Sequence, residues 1–330
     1  MAESFSNSTT SLLSCTTIPS TTPSDAGIAG AGILLAFITT AFLAILLSAH
    51  IIIAEGFTRN MRPLNTSRRL LGGLSDQQFV EGIAIQALGL ARINSMVPYH
   101  FFVIWMLSLL STVSNMAALL ALVQDFKRDW VLRWLRQAAM AVNLGLTVVF
   151  GVFVVRVNST QLPQTLPVGC IWDGAHAKDE GQGGVGKTTL SMAGTIAVIA
   201  ASGVVFLLGT WYLHLRTQVW GRLVRVCSLT VLFVIAVAAT VRLVVISQAF
   251  GNPGVQLVDQ GEKVWSFGQL LAMAMLVLPF ISALEIYRGE LQVPSSCGEQ
   301  GKAQEMDQVP LTGGDGGRKR YTYQTNPWFK

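Results

Sequence analysis

Gly27 to Ala54 reads GIAGAGILLAFITTAFLAILLSAHIIIA, densest in apolar residues from Ile33 to Leu47 and free of Asp, Glu, Lys and Arg. At about 1.5 Å of rise per residue, a helix of this length crosses a hydrocarbon core about 30 Å thick. Comparable stretches recur at Tyr99–Val123, Gln137–Arg156, Ser191–Leu215, Leu223–Phe250 and Trp265–Tyr287, each bounded by charges or by Gly and Pro. These are six clear spans.

The composition agrees. Of 330 residues, 51% are hydrophobic and 12% charged, with a mean hydropathy of +0.50, whereas a water-soluble domain carries about 25% charged residues. The implied solvent, and the first partner, is a lipid bilayer. The formal charge of +5 lies in short clusters between apolar runs, not along one polar face, so nucleic acid is not an expected partner. Cys15, Cys170, Cys227 and Cys297 are too scattered for a disulfide scaffold or a zinc knuckle, and no metal or other cofactor is expected. Residues Met1 to Ala26 are rich in Ser and Thr with no Lys or Arg, unlike a cleaved signal peptide, so the first span acts as an uncleaved signal.

Gln78 to Val97, QFVEGIAIQALGLARINSMV, decides between six spans and seven. It is mostly apolar but carries Glu81 and Arg92, and by hydropathy alone it also fits an interfacial amphipathic helix. Loop charge favours seven. With the N-terminus outside, the inner loops hold Arg59, Arg62, Arg68 and Arg69, then Lys127, Arg128, Arg133 and Arg136, then Arg216, Arg222 and Arg225. With six spans, one of the two four-charge loops would face outward, against the positive-inside rule. The expected fold is therefore an all-α polytopic membrane bundle of seven transmembrane helices, six if Gln78–Val97 is interfacial. A 1–26 outside tail precedes a helical domain over 27–289 (spans 27–54, 78–97, 99–123, 137–156, 191–215, 223–250 and 265–287) with an outer loop at 157–190. A disordered cytoplasmic tail covers 290–330.

Four segments resemble an uncharacterised family of multi-pass integral membrane proteins of filamentous fungi: Leu74-Ser-Asp-Gln-Gln-Phe-Val-Glu-Gly-Ile-Ala-Ile85, Tyr99-His100, Arg133-Trp-Leu-Arg136 and Trp265-Ser-Phe-Gly-Gln269. The resemblance implies a membrane helix after Ser-Asp-Gln-Gln and brings no activity with it. Glu81 stands where the family would have Thr, and the Gly-rich stretch from Gly181 to Lys187 is foreign to it.

Gly181-Gln-Gly-Gly-Val-Gly-Lys187-Thr188 matches the Walker A pattern letter for letter. That motif needs a buried strand before it and a soluble α/β core around it. Asp173 to Glu180 instead precedes it in an outer loop, and no Walker B pattern follows, so Gly181–Thr188 is read as fortuitous and nucleotide as an unexpected partner.

Polar side chains at membrane depth cost about 2.5–3.5 kcal/mol near a helix centre and so mark functional candidates. Arg92, His100, Arg242, Gln248 and Gln269 fall toward the outer halves of their spans and together make a candidate outer pocket. The structural alternative is that Arg92 snorkels to the headgroups while Arg242 caps carbonyls or satisfies Gln269. Glu81 and Glu285 read as partners of the basic loops near inner ends. Asn115 and Asn143 read as interhelical hydrogen bonders, and the small-residue run Gly27–Gly32 as a close helix contact. Asn7 and Asn158 begin outer sequons and are N-glycosylation candidates, whereas Asn65 falls inside. Cys15 and Cys170 share the oxidising side and form a candidate disulfide. Cys297 is a candidate for palmitoylation or a plain free thiol.

Helix count, outside N-terminus and basic inner loops suit a receptor-like or sensory protein. The span at Tyr99–Val123 runs into Gln124-Asp125-Phe126-Lys127-Arg128 without the Asp-Arg-Tyr of G-protein-coupled receptors, and the last span has Leu278-Pro279-Phe280 and no retinal-binding lysine. The alternative is a transporter or channel for a small anionic solute met by Arg242. The lack of acids deep in the spans argues against a proton-coupled cation pump. No cluster of catalytic residues at one depth suggests an enzyme.

Overall fold

The computed structural model describes Cys15 and residues 18–57, 62–128, 130–172, 185–214 and 221–292. Asn7, Cys297, Gly181–Gly184 and the 293–330 tail lie outside the described residues. The chain divides into a helical body, Met1–Ile286, and a second unit, Tyr287–Lys330, whose described part is the end of the last helix.

Every long element is helical, with a lone β-bridge between Thr22 and Leu257 among the described residues. The predicted first span is two helices, α1 (Ala26–Ala29) and α2 (Ala31–Phe57), separated at Gly30. They are followed by α3 (Arg62–Ala91) and α4 (Pro98–Ala121), a short α5 (Val123–Arg128) and α6 (Trp130–Thr160). The last three are α7 (Val185–His214), α8 (Gly221–Ile246) and α9 (Phe267–Gln292). Helix α9 runs past the expected boundary at Glu290.

Among the described residues, six helices are long and apolar enough to cross a membrane, and α3 is not one of them. Helix α3 nevertheless differs from the prediction in its extent. It starts at Arg62, not Gln78, and its 30 residues run antiparallel to α4. Gly72 stands beside Leu122, Gly82 beside Ser111 and Gly89 beside Ile104. Glu81 therefore sits midway along a helix, level with the middle of α4, and not at a helix end near the basic loops as its distance from Gln78 suggested.

Helix α4 is the axis of the body. Its apolar window is entirely buried, and α2, α3, α6, α7 and α8 all pack on it. A helix buried on every side cannot send its polar groups to water or headgroups, and most of its polar side chains pair within the protein. Ser111 donates to the Gln78 carbonyl at 2.7 Å, and Ser75 donates to Asn115 Oδ1 at 3.0 Å. Asn143 of α6 donates to Thr112 Oγ1 at 3.1 Å and accepts from Gln86 of α3 at 2.9 Å. This polar seam joins α3, α4 and α6 at mid-height, which explains how a helix of low mean hydropathy holds a place in the bundle.

The two ends of the body are chemically unlike. At one, Cys15 and Cys170 form a disulfide, and the 3₁₀ turn Val168–Trp172 hydrogen-bonds to the α3–α4 connection through Val168 N to Met96 O at 2.8 Å and Gly169 N to Ile93 O at 3.0 Å. At the other, nearly buried Glu55 of α2 pairs with Arg68 of α3 at 2.6 Å and Arg225 of α8 at 2.7 Å. Arg68 also reaches Asp125 at 3.3 Å, and Arg136 pairs with Asp76. Several arginines that the sequence presents as loop charge thus bind helices together.

Candidate functional site

The residues expected to share an outer pocket are distributed over four settings. Arg92 is half exposed and pairs with Asp25 at 3.3 Å. Gln269, fully buried, fastens the start of α9 to the α1–α2 break. Its Oε1 accepts from Gly32 N at 3.1 Å and its Nε2 donates to the carbonyls of Val264 at 3.1 Å and Ala26 at 3.4 Å. A side chain at Gly30 or Gly32 would collide with Gln269, so the small-residue run is what admits it.

His100 and Gln248 belong to a third setting centred on Glu262, an acid that loop position and its neighbour Lys263 disguise in the sequence. Glu262 is fully buried. Its carboxylate lies 3.0 Å from His100 Nε2 and accepts from the Tyr99 hydroxyl at 2.7 Å. Tyr99 Oη in turn accepts from Gln248 N at 3.0 Å, and Gln248 Nε2 donates to Asp259 O at 2.7 Å. Every charged group here has a close partner, and the cluster closes the disulfide end of the body. Outside it, Ser24 hydrogen-bonds to exposed Asp259 and holds that carboxyl below the usual carboxylate range.

Arg242 occupies the fourth setting. It is exposed and lines a cavity of about 350 Å³ with Tyr99, Asn158, Gln164 and Ser191. Among the described residues it makes no hydrogen bond or ion pair. Asn158 heads the last three residues of α6, and Ser159 and Thr160 of its sequon both donate to the Arg156 carbonyl.

A larger cavity, about 820 Å³, separates α9 from α2 and α3. Its shape follows from where α9 touches its neighbours. At the disulfide end Gln269 presses against Gly30 and Gly32. Toward the other end Gly73 of α3 faces Pro279, which stands inside α9, so closely that a Cβ on Gly73 would lie 3.2 Å from the proline ring. Between these anchors the helices part.

The walls are apolar, with Ile33 and Phe37 on α2, Val80, Ile85 and Leu88 on α3, and Leu271, Met275 and Leu278 on α9. Into this wall α3 sets Gln77 and Glu81, one helical turn apart. Gln77 Nε2 donates to Glu81 Oε1 at 2.8 Å. The remaining oxygens, Gln77 Oε1 and Glu81 Oε2, are buried with no hydrogen-bond partner among the described residues. Unpaired buried acceptors cost about 1–3 kcal/mol each, more when charged. Arg69 lines the same cavity near its basic end. The i, i+4 spacing of Gln77 and Glu81, continued by Ala84, Ile85 and Leu88, is the sequence signal that could have exposed this face; taking α3 to begin at Gln78 hid it.

This architecture defines a multi-pass integral membrane protein. Comparison of the chain with protein-family models, with curated proteins and with solved structures finds no match, so its activity has to be argued from the site.

Proposed function

We propose that the protein is a receptor-like, seven-span membrane protein with its N-terminus outside, and that the cleft between α3 and α9 is its ligand site. The observation that carries this reading is that Gln77 and Glu81 line an apolar cavity of about 820 Å³ while Gln77 Oε1 and Glu81 Oε2 have no hydrogen-bond partner among the described residues. Ligand sites are mostly apolar clefts of about 300–1,000 Å³ with a few placed polar groups. A carboxylate at mid-height in a membrane helix marks function more often than packing.

Seven spans are supported by the course of α3. Thirty residues reach about 45 Å, and its neighbours along that length are those of the fully buried α4. The N-terminus-outside orientation is supported by the basic loops and by the disulfide at the opposite end. The activity is binding rather than catalysis, and the family resemblance extends the reading to similar fungal membrane proteins.

Two measurements test it. Reporter fusions after Arg69, Arg136, Arg216 and Lys330 should read cytoplasm and one after Glu180 outside; a cytoplasmic Glu180 overturns the topology and reopens nucleotide binding at Lys187. Native mass spectrometry of detergent-purified protein should show retained small molecules that disappear when Ala84→Trp fills the cleft. Identical spectra would remove the cleft as the site.

A transporter reading rests on Arg242, a cation without a partner among the described residues, beside polar Asn158, Gln164 and Ser191. It requires Arg242→Ala to abolish uptake of an anion while leaving folded yield intact.

A further inference from the structure

From the chemistry of the cleft we infer that its ligand is a long-chain amine, an amphiphile whose protonated amino head meets Gln77 and Glu81 while its alkyl chain lies between α3 and α9. The inference rests on the cleft being the ligand site and adds the class of ligand.

The polar inventory of the wall decides the head group. Gln77 gives one of its two amide N–H bonds to Glu81 Oε1, which leaves Gln77 Oε1 and Glu81 Oε2 as buried acceptors without a partner among the described residues, on two side chains that line the cavity. A complementary group must supply donors and positive charge. An ammonium does both, with three N–H bonds on one centre. A carboxylate head would meet two oxygens of its own kind, and a hydroxyl offers one donor for two acceptors and leaves the charge unbalanced. Arg69, the other charged residue of the cavity, is about 18 Å along the helix from Glu81 at 1.5 Å per residue, too far to neutralise it directly.

The rest of the wall decides the tail. From Glu81 toward the disulfide end α3 contributes Ala84, Ile85 and Leu88, opposite Leu271 and Met275 of α9. No hydrogen-bonding side chain interrupts that stretch. An alkyl chain suits such a wall because each buried methylene contributes about 0.8 kcal/mol relative to water. The chain competes there with lipid acyl chains, so the head group carries the selectivity.

Binding of hexadecylamine, hexadecanol and palmitate to the full chain in phosphatidylcholine nanodiscs separates the outcomes, with thermal unfolding and competition against a fluorescent alkylamine as readouts. The amine should raise the unfolding temperature of the wild type and displace the probe. Glu81→Gln should weaken amine binding about ten- to a hundredfold, the effect of losing one charge-assisted hydrogen bond, without changing hexadecanol binding. Ala84→Trp should block all three. If hexadecanol or palmitate binds as well as the amine and Ala84→Trp blocks them, the cleft stands and the head-group assignment is wrong. If amine binding survives both substitutions, the amine only partitions into the bilayer and both readings fall. Should Glu81→Gln fail to fold, Gln77→Leu provides the second variant, and undiminished amine binding there overturns the assignment.

Discussion

His100 Nε2 lies 3.0 Å from Glu262 Oε1 with both side chains buried, which ties the start of α4 to the connection between α8 and α9. The Tyr99 hydroxyl bonds the other carboxylate oxygen, so one loop acid satisfies two consecutive residues of the central helix. Glu262→Ala removes the shared acceptor. It should destabilise the protein by about 1–3 kcal/mol for each buried polar group left without a partner, whereas Glu262→Gln should cost less because it still accepts from Tyr99. Thermal unfolding in one detergent compares them; equal losses would mean that the acceptor kept by the glutamine amide contributes nothing.

The disulfide fastens the N-terminal segment to the turn after α6 across a sequence separation of 155 residues. Cys170→Ser should lower stability by about 2–5 kcal/mol and free Cys15 for maleimide labelling. In the wild type, labelling before and after reduction should differ by two thiols. A count unchanged by reduction would contradict the bridge.

Close approach of α3 to α4 depends on Gly82, where any side chain would strike Ser111 and Asn143. Gly82→Val should cost about 1–3 kcal/mol or more through overpacking and reduce monodisperse yield. At Gly145 in α6 a Cβ would meet nothing within 4 Å, so Gly145→Ala should be neutral or stabilising by about 0.5–1 kcal/mol. Size-exclusion profiles and unfolding temperatures of the two variants make the comparison.

At the basic end, Glu55→Gln leaves Arg68 and Arg225 nearly buried beside a neutral amide. The expected loss is about 3–5 kcal/mol, and Asp125, more than half exposed beside Arg68, should prove far less sensitive to the same change. Parallel unfolding of Glu55→Gln and Asp125→Asn decides whether burial sets the rank.

Asp259 gives a pH dependence of definite sign. Its folded pKa lies below the ordinary value of 3.8, chiefly through the Ser24 hydrogen bond. A carboxyl of lowered pKa stabilises the fold above the unfolded value and loses that contribution as pH falls through the folded one. Protection from hydrogen exchange around Thr22–Ser24 and Leu257–Asp259, taken relative to the intrinsic rate at each pH, should therefore fall on acidification below about pH 4, and Asp259→Asn should flatten that response.

Hydropathy and loop charge are local properties, and they were enough to find the six apolar helices and to announce a membrane bundle, although α6 begins at Trp130 and not Gln137. At α3 hydropathy by itself was ambiguous and the start was misplaced, because its polar residues are matched by partners on other helices. Gln86 is satisfied by Asn143, 57 positions away, and such a pair cannot be read from either residue alone. Glu262 was hidden for the same reason, since in sequence its neighbour is Lys263 while in space its neighbours are Tyr99 and His100. Glu81 was visible but set at the wrong height by a helix start taken 16 residues late, Gln78 against Arg62.

What the sequence determined by itself is the solvent: long uncharged runs dissolve in lipid whatever their arrangement, because transfer free energy adds residue by residue along the chain. Only tertiary structure decided which helix lies at the centre, which charges are paired, and that α9 stands away from α3 around an unpaired Gln77–Glu81 face. Those outcomes depend on where small residues such as Gly32 and Gly73 let two helices meet, and helix contacts join positions far apart in the chain.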